Sequence, residues 1–309
     1  MGLILYNYVF NRKIMEKGAA KIRKQLDADK SEKGIEAYNK QKRYDDNRDE
    51  FNESVKEIEK HEYIKAFDNS KIHARVCKNN TPNAKENIWI VGVHGYRNSS
   101  YTYGEFVNEL YNRGYNVLLP DLRGCGDSPK KFLTMGNKDK YDVQSWIKWL
   151  ADKEPDSKII IYGVSMGGAT TMMTAGLELP DNVKCIVEDC GYSSLYDELK
   201  YEINYFMKMP AFPFLHTTDL IYRLFNKGKG FKDVSAVEAL KHNERPILFI
   251  HGKNDDFVPY FMLQKVYDAN KGYKEKIEFD NTWHAEACMK HRDEYYNSID
   301  NFIERSLSC

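Results

Sequence analysis

The stretch IIIYGVSMGG, residues 159–168, sets Ser165 between Gly163 and Gly167 directly after an apolar run of strand length. It reads as strand, sharp turn and helix start. A serine on such a turn is held in a tight backbone conformation, and side chains at the flanking positions would collide with the neighbouring strand or helix. GxSxG alone is a weak signal, because many glycine turns hold an idle serine. A serine hydroxyl is also a poor nucleophile at neutral pH, so the turn acquires chemical meaning only with a base, an acid to orient it, and donors for an oxyanion.

Working outward, the chain repeats strand-to-loop units on both sides of this turn. NIWIVGVHGY (87–96) is a continuous apolar run ending in glycine, and YNVLLPDLRGCGDS (115–128) is a strand entering a glycine-rich loop. VKCIVEDCGYSS (183–194), RPILFIHGKNDD (245–256) and KEKIEFDNTWH (274–284) follow the same plan. Helical stretches separate some of them at 103–113 and 141–150, and a C-terminal helix over 294–307 follows the last. Strands alternating with helices of this length predict an α/β protein with a mostly parallel sheet covered on both faces, whose working residues gather at the carboxyl ends of the strands. EYIKAF and KIHARVCK around the turn DNS read as two further strands.

The missing partners lie in two of those loops. Asp255 stands in HGKNDDFVP and His284 in TWHAEA. In the roles that follow, Ser165 attacks an acyl carbon, His284 takes and returns its proton, and Asp255 fixes the imidazole tautomer. The chain order Ser, Asp, His belongs with a strand-turn-helix nucleophile. Asp256 and Asp189 compete with Asp255, and the spacing HGxxDxxVP favours Asp255. His291 competes with His284 and reads as a surface residue. His94 and His251 beside glycines read as turn residues, and Asp121 and Asp127 as side chains that hold the RGCGDS loop. The backbone N–H groups of Met166 and Tyr96 are the expected oxyanion donors. On that reading the ring of Tyr96 is dispensable.

These residues together resemble the α/β-hydrolase fold superfamily. The resemblance covers roughly residue 62 to the C-terminus and rests on HGY, DLRGCGDS, GVSMGG, and HGKNDDFVP followed by TWHAEA. Within the superfamily the chain is similar to bacterial serine hydrolases related to prolyl oligopeptidases and to acyl-peptide or ester hydrolases with a small helical lid. The resemblance implies an eight-stranded, mostly parallel sheet flanked by helices, and hydrolysis of carboxylic esters or small amides with no cofactor and no metal. The substrate would be a small acyl ester or a short peptide. Peptidase or acyltransferase chemistry is the alternative within the fold, and a non-catalytic binding protein the alternative of another class. No propeller domain is present, which weighs against a specialised oligopeptidase.

Residues 1–60 have no counterpart in that fold. From 11 to 60 about half the residues are charged, with both signs mixed and no proline, which predicts a solvated helical arm ahead of a catalytic domain over 61–309. A peripheral arm could be deleted with activity intact. The opening MGLILYNYVF is too short to span a bilayer and lacks the features of a secretory signal or a myristoylation site. It reads as an apolar edge docked on the protein's own surface, with interfacial membrane contact flanked by Arg12 and Lys13 as the alternative. Between Cys190 and Arg245 the alternation stops. An insert over about 191–245, rich in aromatic and aliphatic residues, predicts a lid over the strand ends whose apolar side chains mostly fasten it to the sheet.

The 309 residues carry 46 basic and 46 acidic side chains, and this zero formal charge argues against a nucleic-acid partner. The six cysteines, Cys77, Cys125, Cys185, Cys190, Cys288 and Cys309, form no CxxC pair, which points to a reducing, cytoplasmic setting.

Overall fold

Apolar runs without polar alternation, such as 159–164, form strands only where both faces of the sheet are covered. The computed structural model describes residues 2–29, 31–129 and 131–308. Its strands are β1 (Lys60–Lys65), β2 (Lys71–Cys77), β3 (Ile88–Val93), β4 (Asn116–Pro120), β5 (Lys158–Val164), β6 (Val183–Asp189), β7 (Ile247–Gly252) and β8 (Lys274–Phe279). They form one sheet in the order β1-β2-β4-β3-β5-β6-β7-β8. β2 runs antiparallel to both β1 and β4, and every other pairing is parallel. The expected eight-stranded, mostly parallel α/β sheet is therefore present, with β5 and its serine turn near its centre.

The helices are α1 (Gly2–Phe10), α2 (Arg12–Ala28), α3 (Glu32–Val55), α4 (Gly104–Asn112), α5 (Asp139–Lys153), α6 (Met166–Ala175), α7 (Leu195–Tyr205), α8 (Ala211–Phe225), α9 (Ala236–Leu240), α10 (Phe261–Ala269), α11 (Ala287–Lys290) and α12 (Arg292–Ser308). Side-chain caps start several of them. Ser194 accepts from the Asp197 N–H at α7 and Ser31 from the Gly34 N–H at α3, each cap stabilising its helix by about 1 kcal/mol. Successive side chains of β5 feed opposite cores, as the period of two requires. Ile159 and Ile161 join Trp146 and Met172 on one face, while Ile160 and Tyr162 join Phe106, Tyr296 and Phe302 on the other.

α1 docks as its apolar sequence suggests, and α3 departs from a solvated arm. On one face of the sheet, Tyr6 and Phe10 of α1 are buried against Tyr222 and Phe225 of α8, with ring centroids 5.4 Å (Tyr6–Phe225) and 5.2 Å (Phe10–Tyr222) apart. On the other face, Phe51 and Val55 of α3 are buried beside α4, and Phe51 meets Tyr111 edge-on at 5.6 Å. The charges that dominate the composition occupy the remaining faces, where i,i+4 pairs such as Lys42–Asp46 form at 2.8 Å. Composition masked this because a few large rings among many charges are enough to seat a helix. Among the described residues no helix is long and apolar enough to cross a membrane.

Truncation tests the seating on both faces. Phe10→Ala and Phe51→Ala should each lower unfolding free energy by about 3 kcal/mol in denaturant titrations. Losses of only about 0.5 kcal/mol, as at surface sites, would mean that these helices are peripheral.

Candidate active site

β5 delivers Ser165 at its carboxyl end in a left-handed conformation, φ 60° and ψ −123°. A non-glycine residue in that region is strained by roughly 1–3 kcal/mol and persists only where its surroundings fix it. Two contacts do so. The Ser165 N–H donates to the Asp189 carbonyl at 2.8 Å, tying the turn to the end of β6. The flanking glycines let α6 lie against the sheet, since a Cβ on Gly167 would strike the Val93 carbonyl and one on Gly163 the Gly167 carbonyl.

His284, from the loop after β8, places Nε2 2.8 Å from Ser165 Oγ and Nδ1 2.7 Å from Asp255 Oδ2. Asp255 follows β7 and is buried. Its Oδ1 accepts the Phe257 and Val258 N–H groups, both at 2.9 Å, and its Oδ2 also faces His251 Nε2 at 3.4 Å. Burial alone would raise this carboxyl, but the two imidazoles and their hydrogen bonds hold it down at about 2. An ionised, fully satisfied carboxylate leaves the His284 Nδ1 proton donating to Asp255 and Nε2 free to accept from Ser165 Oγ. That is the arrangement a general base requires.

The competing residues have other partners. Asp189 Oδ2 accepts from Tyr295 Oη at 2.8 Å, and Asp256 takes no part in the His284 contact. His291 Nε2 meets Thr282 Oγ1 at 2.9 Å while its ring stacks on Phe279. His94 Nε2 accepts the Leu122 N–H at 3.0 Å, so Nδ1 carries the proton given to the Gly95 carbonyl, and burial keeps this ring neutral by lowering its pKa. Asp121 holds its loop through the Ser100 and Asp127 N–H groups and His73. Asp127 departs from expectation, since its backbone N–H takes part in that bracing while its side chain is exposed.

The residues expected to supply the oxyanion donors are Met166 and Tyr96. Met166 opens α6, where the first N–H groups have no partner within the helix. Tyr96 lines the same cavity as Ser165 and Met166. Its ring is not idle, because Oη donates to the Val9 carbonyl at 2.8 Å and so ties this loop to the end of α1. That tie is tertiary, and nothing in the local sequence HGYRNSS foretells it.

The cavity beside Ser165 has a volume of about 560 Å3. α1 contributes Leu5 and Val9 to its wall, and the segment between β6 and β7 contributes Phe206, Met207 and Leu215. The other insert side chains divide, with Tyr222 buried and Tyr205, Phe212 and Phe225 exposed. Of the cysteines, Cys77, Cys125, Cys185, Cys190 and Cys288 are free and buried, and burial raises the Cys125 and Cys190 thiols, which suits packing rather than nucleophilic chemistry. Cys309 lies outside the described residues. Among the described residues two groups hold potential ligand atoms within 4.8 Å of one another, His61 with His73 and Asp127, and Cys190 with Asp255 and His284. In the first, His61 Nδ1 and His73 Nε2 already meet at 2.9 Å, and in the second Asp255 and His284 engage each other.

Sequence reasoning passed over Glu188, one residue before Asp189. It is fully buried at the end of β6, where Oε2 accepts the Gly191 N–H at 3.0 Å and Oε1 has no partner. A charged residue at the end of an apolar strand was the available signal. Burial raises its carboxyl to about 8, against partial relief from His251. The folded protein therefore holds this proton more tightly than the unfolded chain, and the associated stability, complete below pH 4.5, is lost as pH rises toward 8. Glu188→Gln should accordingly raise the melting temperature relative to wild type by several degrees more at pH 8.5 than at pH 5. A larger relative gain at pH 5 would contradict this sign.

Comparison with known proteins agrees with the fold. A family model described as the alpha/beta hydrolase fold matches residues 88–212. Bacillus subtilis YqkD is 27% identical over 268 residues, 85% of this chain and 85% of that protein. The Mus musculus lysophosphatidylserine lipase ABHD12 is 24% identical over 229 residues, 68% of this chain and 52% of that protein. A Pyrococcus furiosus esterase superposes with a TM-score of 0.66 at 23% identity, covering 82% of this chain and 93% of its own, a likeness of fold.

Proposed function

We propose that the chain, which has the fold that the α/β-hydrolase family model describes, is a serine hydrolase that cleaves carboxylic esters through an acyl-enzyme on Ser165. The observation that carries this reading is the continuous hydrogen-bonded line from Ser165 Oγ through His284 to Asp255, at 2.8 and 2.7 Å, opening on an apolar cavity. In the first half-reaction Oγ attacks the acyl carbon as its proton passes to His284 Nε2. Asp255 stabilises the resulting imidazolium, and the same proton then leaves with the alcohol. Water repeats the sequence to release the acid.

The tetrahedral oxyanion is assigned to the N–H groups of Met166 and Tyr96. Each such donor contributes roughly 3 kcal/mol to the transition state. The Ser165 amide is occupied by the Asp189 carbonyl, which supports donors drawn from its neighbours. The segment between β6 and β7 acts as the lid, and esters are favoured over amides by the largely apolar wall and by an esterase and a lipase among the similar proteins.

A fluorophosphonate probe and p-nitrophenyl esters test the proposal. Ser165 should be the labelled residue, and Ser165→Ala should lose on the order of 10^6 in kcat without a fall in melting temperature. Asp255→Asn should lose about 10^4. Folded protein that leaves Ser165 unlabelled and esters uncut would remove the enzymatic reading.

A further inference from the structure

The cavity wall is apolar except where a few charged groups enter it. Arg97 comes from the loop after β3, and Glu198 and Glu202 from α7, where a spacing of four residues puts both carboxylates on one face of the helix. Glu198 is only 4% exposed. Its Oε2 and the Oε1 of Glu202 are buried without a hydrogen-bond partner. Among the described residues neither carboxylate receives a hydrogen bond or an ion pair. The neighbouring Asp197 shows the contrast, since it points away and accepts from Lys265 Nζ at 2.9 Å and from Ser193 Oγ at 2.8 Å.

Two carboxylates held together without donors are unfavourable, because each buried acceptor loses water and gains nothing in return. Burial raises Glu202 to about 7 and Glu198 well above the carboxylate range, and their mutual repulsion adds to the rise at Glu198. Arg97 does not quench the pair, because its guanidinium lies over the Tyr96 ring, 5.2 Å from the centroid, and reaches Glu202 only through space. A ligand bringing N–H donors and a positive charge would satisfy both groups at once. Tyr192, Phe206 and Phe257 line the same cavity, and aromatic rings attract cations.

We propose that the cavity receives a substrate bearing a protonated amine, which donates to Glu198 and Glu202 while the acyl carbon faces Ser165. This rests on the serine-hydrolase reading above and adds to it the class of molecule that the lid helix selects. An apolar pocket alone would rank a hydrocarbon chain above a charged one, so a preference for the amine separates the two.

The test compares p-nitrophenyl 6-aminohexanoate with p-nitrophenyl heptanoate, of equal chain length, at pH 8, where the amine is protonated. Wild-type protein should favour the aminohexanoate at least ten-fold in kcat/KM, and Glu198→Gln/Glu202→Gln should abolish or invert that ratio. In parallel, calorimetric titration should show n-hexylamine binding at least ten-fold more tightly than 1-hexanol. A wild-type preference for the heptanoate with equal binding of the amine and the alcohol overturns the proposal, as does an amine preference that survives the double substitution. If Ser165 resists the fluorophosphonate, the hydrolase reading fails by itself, and the hexylamine titration still decides the amine site.

Discussion

The bond from the Ser165 N–H to the Asp189 carbonyl sits where the architecture changes direction, and the site depends on it. It holds β5 against β6 for one residue beyond the regular ladder while the chain turns through a left-handed conformation. α6 can then start against the sheet only because Gly163 and Gly167 leave room for it. Ser165 Oγ is thereby fixed at the strand ends instead of wandering on a loop. His284 and Asp255 arrive from strands on one side of β5, so the parallel order of the sheet brings together residues that lie far apart in the chain.

Electrostatically, the carboxylates around this point fall into two kinds. Asp255 has hydrogen bonds on both oxygens, two backbone N–H groups on Oδ1 and His284 on Oδ2, and remains ionised. Glu188, Glu198 and Glu202 each keep an oxygen with no partner, and burial pushes them toward the neutral form. The same functional group thus supplies an anchored charge at one position and unmet bonding capacity at others. The difference is made by donors and positive charge, since two imidazoles and two backbone N–H groups face Asp255, whereas Glu188 has a single N–H and the backbone N–H groups along α7 are used up within the helix.

What could be read in the chain follows from this. The sheet, its parallel character and the meeting of Ser165 with Asp255 and His284 were legible because each depends on a local pattern, an apolar run ending in a glycine loop. The work of the Tyr96 ring was hidden, since it depends on the carbonyl of Val9 nearly ninety residues away. Glu198 and Glu202 were hidden for a related reason. An i,i+4 pair of acids is ordinary on a solvated helix, and only the cavity beneath α7 makes it unusual. The docking of the first ten residues was legible from their apolar run, whereas the seating of α3 was obscured because Phe51 and Val55 are a small minority among charges.

The wall that α1 lends to the cavity comes from more than two hundred residues away along the chain, against α8. Joining distant segments is less prohibitive than it sounds, because the entropy of closing a loop grows only with the logarithm of its length. A ten-fold longer loop adds roughly 2 kcal/mol. Burying two large side chains such as Tyr6 and Phe10 returns about 1.5–3 kcal/mol apiece. A short helix carrying two rings can therefore stay docked as one wall of a pocket whose Ser165 and His284 lie more than 150 positions downstream, without a covalent staple to hold it.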